Sequence, residues 1–378
     1  MKIAIITSRY PSENNPYNHM FVHMRSKEFI SQDAQVVIYV PSSETCEYIF
    51  EGVLVKKIPS KKIVNSLKEF DVLYLHLLHL YPFTKEDGWP IYKSIMQNQY
   101  PFAMYVHGSE VQKYSARPFD KDNSIKGMLR RFKKDFILVY FMRKFVNNSH
   151  KNSSAHFLFP SFWMKKEMEK NLDLVISRFD IVANGIETDL FSFSNKFEKR
   201  HQLIALRPLS SMKYAVDVAI EIMRFLPEKY TLDIFGKGHY EECFTDLIKK
   251  YSLQGRVNIY NKFINKVDMP NHFSKYGISM STTRMDAQGV SMCEANSSGL
   301  LTVSNNNTAI PEFIKDMETG ILGDNPKEIA NKILTVTSNE KLFKTITEAG
   351  RNKMEKIDVT LTCKKELSIL KKLTNKYY

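Results

Sequence analysis

The stretch GISMSTTRMDAQGVSMCEANSSGLLTVS, residues 277–304, places two short apolar runs on either side of a segment of helical length. The first run ends in three polar residues, 281–283, and we expect a helix over residues 289–298 with Gly299 as its stop. A strand, a helix and a second strand in this order form the repeating unit of a parallel sheet covered by helices. This unit predicts an α/β fold whose ligands bind beyond the carboxyl ends of the strands.

The same alternation of strand-like and helix-like segments runs through the whole chain. It stops at the polar stretch SFSNKFEKR, residues 192–200, and starts again near His201. A chain of 378 residues has the length of about two domains. We therefore predict two Rossmann-like domains, residues 1–192 and 193–359, that face each other across a cleft.

Composition narrows the class of protein. The chain opens with the strand-like run KIAIIT, so we expect no secretory signal. The apolar run at residues 136–142 is far shorter than the ~20 residues that span a bilayer. The four cysteines lie far apart and form no metal-binding spacing (Cys46, Cys243, Cys293 and Cys363). These features predict a cytoplasmic protein, soluble or peripheral to a membrane.

Most of the net charge of +13 lies in residues 113–151, where eleven Lys and Arg face three Asp, a local charge of +8. Within it, IKGMLRRFKKDFILVYFMRKFV (residues 125–146) mixes cations with apolar and aromatic residues. Such a helix can rest on an anionic membrane or a lipid-linked acceptor. It can equally be a solvated face over buried aromatics. A third interpretation, binding of nucleic acid, is the least favoured.

Two carboxylates flank the start of the predicted helix in the opening stretch. Asp286 and Glu294 are eight residues apart, about 12 Å along a helix. A nucleotide-sugar has that reach from hexose to ribose, and a helix N-terminus between them suits a diphosphate. The alternative is ordinary: an Asp near a helix start caps the helix, and a Glu on a helix is a surface residue.

This stretch resembles the signature of the retaining glycosyltransferases of family 4, which have the GT-B fold. The signature has two acidic residues with seven others between them, a helix of small residues, a strand and an I-P-E turn, here DAQGVSMCEANSSG and LLTVSNNNTAIPE. Further matches follow in family order: HGSE (107–110), ANGIETDLF (183–191), RPLSSMKYAVD (207–217), FGKG (235–238) and RV (256–257).

The resemblance implies a donor site. Glu294 would bind the ribose, Asp286 the sugar hydroxyls, and Arg207 with Lys213 would clamp the diphosphate. Fixed cations can stabilise a leaving diphosphate without a metal, although each alone could be a surface cation. The remaining donor-binding candidates are Gly236, Arg256, Ala287, Gln288, Gly289 and Val290. FGKG fits a phosphate loop and a tight strand-to-helix turn equally well.

Two positions depart from the family pattern where the sugar would sit. Asp286 replaces the usual Glu, and Gln288 replaces a residue that is commonly aromatic. In addition, the spacing from Arg207 to Lys213 is one residue longer than the commonest family form. The sequence thus leaves the identity of the sugar open.

The acceptor side is predicted from the first domain. His107 ends the strand FAMYV and can act near neutral pH, but it also fits a buried, satisfied histidine. Glu110 would orient it or cap a helix. The weaker acceptor-side candidates lie in the loop 14–25 and in ANGIETDLF: His19, His23, Arg25 and Asn184.

These observations predict a retaining, metal-independent hexosyltransferase that uses a nucleotide-sugar, with UDP-sugar favoured. Its acceptor would be a growing, lipid-linked surface glycan of lipopolysaccharide or capsule type. No cofactor or metal is expected, because no DxD, HxxxH or HExxH spacing is present. The resemblance also predicts that a final helix over 360–378 packs back on the first domain. Two alternatives stay open: a GT-B nucleotide-sugar epimerase, and a non-catalytic nucleic-acid binder.

Overall fold

The computed structural model describes residues 1–15, 18–120 and 124–374, apart from the side chain of Asp120. The chain divides into two compact units. The N-terminal unit holds residues 1–184 and the chain from Val359 onward, and the C-terminal unit holds Gly185–Asp358. The sequence placed this division at residue 192. Lys121 and Asp122 of the basic segment, residues 16 and 17 of the loop 14–25, and the last four residues of the predicted final helix lie outside the described residues.

The N-terminal unit is built on an eight-stranded sheet in the order β3-β4-β2-β1-β5-β6-β7-β8. All neighbours are parallel except the β3–β4 hairpin. The strands are β1 (Lys2–Thr7), β2 (Gln35–Pro41), β3 (Cys46–Phe50), β4 (Val53–Ile58), β5 (Val72–His76), β6 (Phe102–Tyr105), β7 (Ala155–Phe159) and β8 (Phe179–Ile181). The central strands are continuous apolar runs because helices cover both faces of a parallel sheet.

The C-terminal unit holds a six-stranded, wholly parallel sheet in the order β11-β10-β9-β12-β13-β14. Its strands are β9 (Gln202–Leu206), β10 (Thr231–Phe235), β11 (Val257–Tyr260), β12 (Ile278–Met280), β13 (Leu301–Asn305) and β14 (Ile321–Gly323). Because neighbouring strands are parallel, the segments that follow β9, β10 and β12 leave the sheet at one edge.

Fourteen α-helices connect the strands of the described chain. They are α1 (Met20–Ser31), α2 (Ser60–Ser66), α3 (Trp89–Asn98), α4 (Ile125–Phe132), α5 (Val139–Ser149), α6 (Phe162–Leu172), α7 (Val216–Met223), α8 (Glu241–Lys250), α9 (Met269–Phe273), α10 (Val290–Ser297), α11 (Ile310–Phe313), α12 (Pro326–Thr337), α13 (Glu340–Glu355) and α14 (Val359–Thr374). A π-helical segment, Lys133–Leu138, joins α4 to α5.

Helix α14 packs on α1, β5 and β6 of the N-terminal unit. A buried ion pair holds it there, with Arg25 Nε 3.0 Å from Glu366 Oε1. The hydroxyl of Tyr74 donates to Glu366 Oε2 at 2.8 Å, and the guanidinium of Arg25 lies over the Tyr105 ring. Both charges are out of water but fully partnered, so removal of either one would leave an uncompensated buried charge.

Candidate functional site

Helix α10 begins at the carboxyl edge of the C-terminal sheet with an open N-terminus. Gly289 precedes it with φ +75°, a left-handed conformation that glycine adopts without strain, and no side chain caps the helix at this residue. The N–H groups of Val290, Ser291 and Met292 therefore have no acceptor within the helix. Together with the helix dipole, they suit an anion such as a phosphate.

Asp286 lies immediately before this helix start. Its Oδ1 accepts hydrogen bonds from the backbone N–H groups of Gln288, at 3.2 Å, and Gly289, at 2.9 Å. Asp286 therefore bonds within the turn before α10 and leaves the first N–H groups of the helix itself uncapped. These bonds fix the turn that leads into α10.

Arg207 follows β9 and is buried. Its Nη2 donates to the carbonyl oxygen of Ser281, the first residue after β12, at 2.6 Å. Burial lowers the pKa of Arg207, and the nearby charge of Asp286 opposes that effect. Arginine stays charged even so, so a desolvated cation lies beside Asp286.

Lys213 lies in a 3₁₀ turn, Met212–Tyr214, that is fastened to the segment after β12. Its carbonyl oxygen accepts hydrogen bonds from Arg284 N, at 2.7 Å, and Thr283 Oγ1, at 3.2 Å. The Arg284 guanidinium makes two bonds to the Asp217 carboxylate, at 2.9 and 2.6 Å. The sequence predictions missed Arg284 and Asp217, although their opposite charges in segments that follow neighbouring strands were a usable signal.

Glu294 lies on α10 at the centre of a charged cluster. It is only 6% exposed, and burial raises its pKa to about 7. Lys266 Nζ lies 3.7 Å from Glu294 Oε1 and also pairs with Glu187; Lys266 lowers the pKa of Glu294 and Glu187 raises it. Lys266 and Glu187 were not predicted, because no sequence spacing relates them to Glu294.

The two glycines of FGKG have a packing function. A Cβ on Gly236 would lie 1.9 Å from Arg207 O, and a Cβ on Gly238 would lie 2.0 Å from the carbonyl carbon of Leu209. Only residues without a side chain allow these two segments to approach so closely. The glycines therefore position the segment that carries Arg207.

The side chains of two predicted donor ligands make contacts within the protein instead. Arg256 precedes β11, at the amino edge of the sheet, and donates to the carbonyl oxygens of Met223, Leu226, Pro227 and Tyr230. It closes the carboxyl end of α7 rather than a donor site. Gln288 is 1% exposed and hydrogen-bonds with the Cys293 thiol, so its side chain points into the unit. Ala287 is half-buried and Val290 exposed beside it.

In the N-terminal unit, His107 follows β6 and lies in a cluster of rings. Its Nε2 is 3.1 Å from His76 Nδ1, and its ring packs on Tyr105 and Phe21. Burial lowers the pKa of both His107 and His76 well below the usual value. His107 is therefore a neutral imidazole at neutral pH, which corrects the expectation that it titrates there. Glu110 Oε1 accepts from the backbone N–H of His107 at 2.7 Å.

Among the weaker acceptor-side candidates, Arg25, His23 and Asn184 make contacts that hold the N-terminal unit together. Arg25 pairs with Glu366 and donates to Asn184 Oδ1 at 3.0 Å. His23 is buried, with Nδ1 2.9 Å from the Tyr10 hydroxyl. These contacts within the N-terminal unit account for the burial of Arg25 and His23 and for the position of Asn184. His19 differs: it is half-buried, its ring lies near Phe21, and its Nδ1 is 2.9 Å from Thr7 Oγ1.

Among the described residues, no group of three or more His, Cys, Asp or Glu side chains is arranged to hold a metal ion.

Comparison with known proteins adds the class of enzyme. Residues 187–353 match the profile of the family described as "Glycosyl transferases group 1". No curated protein matches the sequence.

Solved structures match over nearly the whole chain. Sucrose-phosphate synthase from Thermosynechococcus elongatus has a TM-score of 0.74 at 11% identity and covers 100% of each chain. Anabaena HepE in complex with UDP has a TM-score of 0.75 at 14% identity and covers 98% of this chain and 99% of its own. WaaG, a glycosyltransferase involved in lipopolysaccharide biosynthesis, gives 0.68 at 14% identity, with 98% and 99% covered.

At these identities the structures establish the fold, and the family match covers the C-terminal unit. The chain has the GT-B fold with two Rossmann-like domains, as predicted, and is a glycosyltransferase. The comparisons do not favour the epimerase or the nucleic-acid binder. Membership of family 4 stays a prediction.

The buried Glu294 predicts a pH-dependent stability. Burial raises the pKa of Glu294 from its ordinary value of 4.5 to about 7, so the folded protein keeps a proton on this group up to about pH 7. The stability that this proton contributes is present below the unfolded pKa and is lost as pH rises through 7. Between pH 5 and 8, the free energy of unfolding should fall on the order of 2 kcal/mol more in the natural protein than in Glu294→Gln.

Urea unfolding at both pH values measures this difference. The exposed Glu348→Gln variant serves as the control and should follow the natural protein. Equal pH dependence in the natural protein and Glu294→Gln would contradict the assignment.

Proposed function

We propose that the protein transfers a hexose-type sugar from a UDP-sugar to a hydroxyl of a growing, lipid-linked surface glycan, with retention of configuration and without a metal. The observation that carries this proposal is the buried Glu294 on α10, a helix whose open N-terminus lies beside the desolvated cation Arg207. The names of structural neighbours support the donor class: HepE has been solved with UDP-glucose, and TarM with UDP.

The spacing within α10 fits a nucleoside diphosphate. Glu294 is the fifth residue of the helix, about 6 Å along the axis from Val290. A ribose whose hydroxyls bond to Glu294 therefore puts its 5′ diphosphate near the free N–H groups of the first turn. Ionised Glu294 accepts from both hydroxyls, so we expect the donor to bind its deprotonated form.

Arg207 and Lys213 would stabilise the leaving group. As the bond between the anomeric carbon and the phosphate oxygen breaks, negative charge develops on the diphosphate. A cation fixed in a water-poor site stabilises that charge more strongly than one in water. The Arg284–Asp217 pair keeps the Lys213 turn in place for this step.

Because the Gln288 side chain points inward, other groups must bind the donor sugar. We propose that the Asp286 turn holds the sugar through its backbone and its second carboxylate oxygen. In the N-terminal unit, the neutral His107 and the neighbouring His19 would bind hydroxyls of the substrates.

The face on which the new bond forms makes the proposed transfer a retaining one. The acceptor oxygen bonds to the anomeric carbon on the face that the diphosphate leaves, and the acceptor proton passes to the leaving phosphate oxygen. The transferred sugar should keep the anomeric configuration of the donor, which proton NMR of the product reads directly. A product of inverted configuration would rule this course out.

The donor site predicts the effect of one substitution. Glu294→Ala removes a charged acceptor of two hydroxyl hydrogen bonds, so affinity for the UDP-sugar should fall at least about tenfold. A thermal-shift screen of UDP- and GDP-sugars identifies the donor, because a ligand well above its Kd stabilises the fold. Calorimetry then compares the natural protein, Glu294→Ala and the exposed Glu348→Ala. Unchanged affinity in Glu294→Ala would refute the donor site.

We also propose that the protein is cytoplasmic and that α4 and the π segment rest on the inner face of the cell membrane. Met128, Leu129, Phe132 and Phe136 are all at least 58% exposed, and cations accompany them along the same helix. Apolar side chains flanked by cations fit an anionic bilayer surface. None of the described helices combines the length and apolar character that crossing a membrane requires.

Vesicle sedimentation tests the membrane proposal. Replacing the four apolar residues by Ser should weaken binding to phosphatidylglycerol vesicles about tenfold or more, because their side chains no longer enter the bilayer. A matched control replaces four exposed apolar residues elsewhere in the N-terminal unit by Ser: Ile49, Phe83, Phe162 and Val175. Equal binding by both variants, or none by the natural protein, would end the proposal.

A further inference from the structure

A cavity of about 300 Å³ lies in the N-terminal unit, between the segment that follows β6 and the helix formed by α4 and the π segment. Five cations line it: Lys113, Arg117, Arg130, Lys133 and Lys134. The remaining wall is aromatic and apolar, with polar side chains at Ser109 and Gln112 (Leu80, Tyr81, Tyr114 and Leu138 complete the lining). Cations from two separate stretches of chain, 113–117 and 130–134, therefore converge on one concave surface.

The five cations of this cavity outnumber the two carboxylates that act on Lys134, which are Glu110 and Asp135. Both oxygens of Asp135 accept backbone hydrogen bonds, from Tyr114 N and Ser115 N. Lys134 donates to the Ser109 carbonyl oxygen. Burial and the positive charge of Arg117 lower the pKa of Lys134, although Glu110 and Asp135 oppose them. Like charges held this close favour the binding of an anion.

A second cavity, of about 190 Å³, continues from the first. The two share Leu80, Tyr81, Lys134 and Leu138. Glu110 lines the second cavity, where its buried Oε2 has no hydrogen-bond partner among the described residues. Its other oxygen holds the backbone of His107. The cationic cavity is thus connected, through Glu110, to the segment at the carboxyl end of β6 that carries His107.

We propose that this cationic cavity binds a phosphate or diphosphate ester, and that the acceptor of the reaction carries it. The two arginines offer planar forks that match phosphate oxygens, and the lysines supply charge on the other sides. The wall of Leu80, Leu138 and two tyrosines suits the organic group that the phosphate esterifies. The assignment to the acceptor rests on the proposed function, while the anion site itself does not.

Calorimetry with inorganic pyrophosphate tests the site. UDP at saturating concentration fills the donor site, so that pyrophosphate reports on the cavity. In the variant with Lys113, Arg117, Arg130 and Lys133 all changed to Gln, pyrophosphate affinity should fall at least about tenfold, because several charge-assisted bonds are lost. UDP affinity should not change. Lys134 is kept because it bonds to the Ser109 backbone.

A matched control removes four exposed cations from the same unit, with Lys61, Lys62, Lys68 and Lys93 changed to Gln. It has the same net charge as the cavity variant and should bind pyrophosphate like the natural protein. If the fourfold cavity variant does not fold, Arg130→Gln with Lys133→Gln, both at exposed positions, keeps the test open. No binding of pyrophosphate by the natural protein, or equal binding by the cavity and control variants, overturns the proposal.

A competition experiment separates two sources of the phosphate. If phosphatidylglycerol vesicles displace pyrophosphate from the natural protein, but not from the variant with Ser at positions 128, 129, 132 and 136, the site takes a lipid headgroup. If pyrophosphate stays bound on the vesicles, the site takes an ester that is separate from the bilayer lipid. Failure of the natural protein to bind any UDP- or GDP-sugar would refute the proposed function and leave the anion site standing.

Discussion

The parallel pairing of β12 with both β9 and β13 is the constraint on which the proposed donor site depends. It brings the exits of β9 and β12 together, so that Arg207 can donate to the Ser281 carbonyl oxygen and the Lys213 turn can bond to the segment after β12. A parallel sheet must send each strand back through a helix, and α10 is the helix that follows β12. The open helix N-terminus and the fixed cation are therefore consequences of one sheet edge.

In the N-terminal unit, several polar side chains that follow or precede strands serve to hold the fold. Residues that resembled acceptor ligands in sequence hold the fold there: Arg25 joins α1 to Glu366 of α14 and to Asn184. A buried ion pair with every partner present contributes little beyond a hydrophobic pair, yet it fixes which helix packs where. The side chains that we propose for substrate binding in this unit, His107 and His19, lie nearer the strand ends.

The sequence predicted what depends on neighbouring residues. Alternating apolar runs located most strands and the fold class, and the strand that precedes Ser281 placed Glu294 on a helix. The sequence predictions failed where a side chain's contacts involve residues that are distant along the chain. The position of Arg256 in the sequence did not indicate that its side chain donates to carbonyl oxygens at the end of α7, at the opposite edge of the sheet. Nor could it show that Gln288 turns inward to Cys293, or that Lys266 and Glu187 surround Glu294. The hairpin of β3, the edge strand, and β4 was missed because neither strand is a continuous apolar run.

The basic segment shows why its two readings could not be separated by periodicity alone. Apolar residues recur there at helical spacing, at 125, 128, 129 and 132, which fits both a helix on a membrane and a solvated face over buried aromatics. The structure also places a π-helical segment at Lys133–Leu138. A π segment shifts the register of the helix faces, so a single helical period cannot describe residues on both sides of it. Lys133 and Lys134 line the cationic cavity, while Phe132 and Phe136 are exposed to solvent. This helical segment thus carries two surfaces of different chemistry, a cationic cavity and an exposed apolar surface, and the proposed phosphate site and the proposed membrane surface would lie side by side on it.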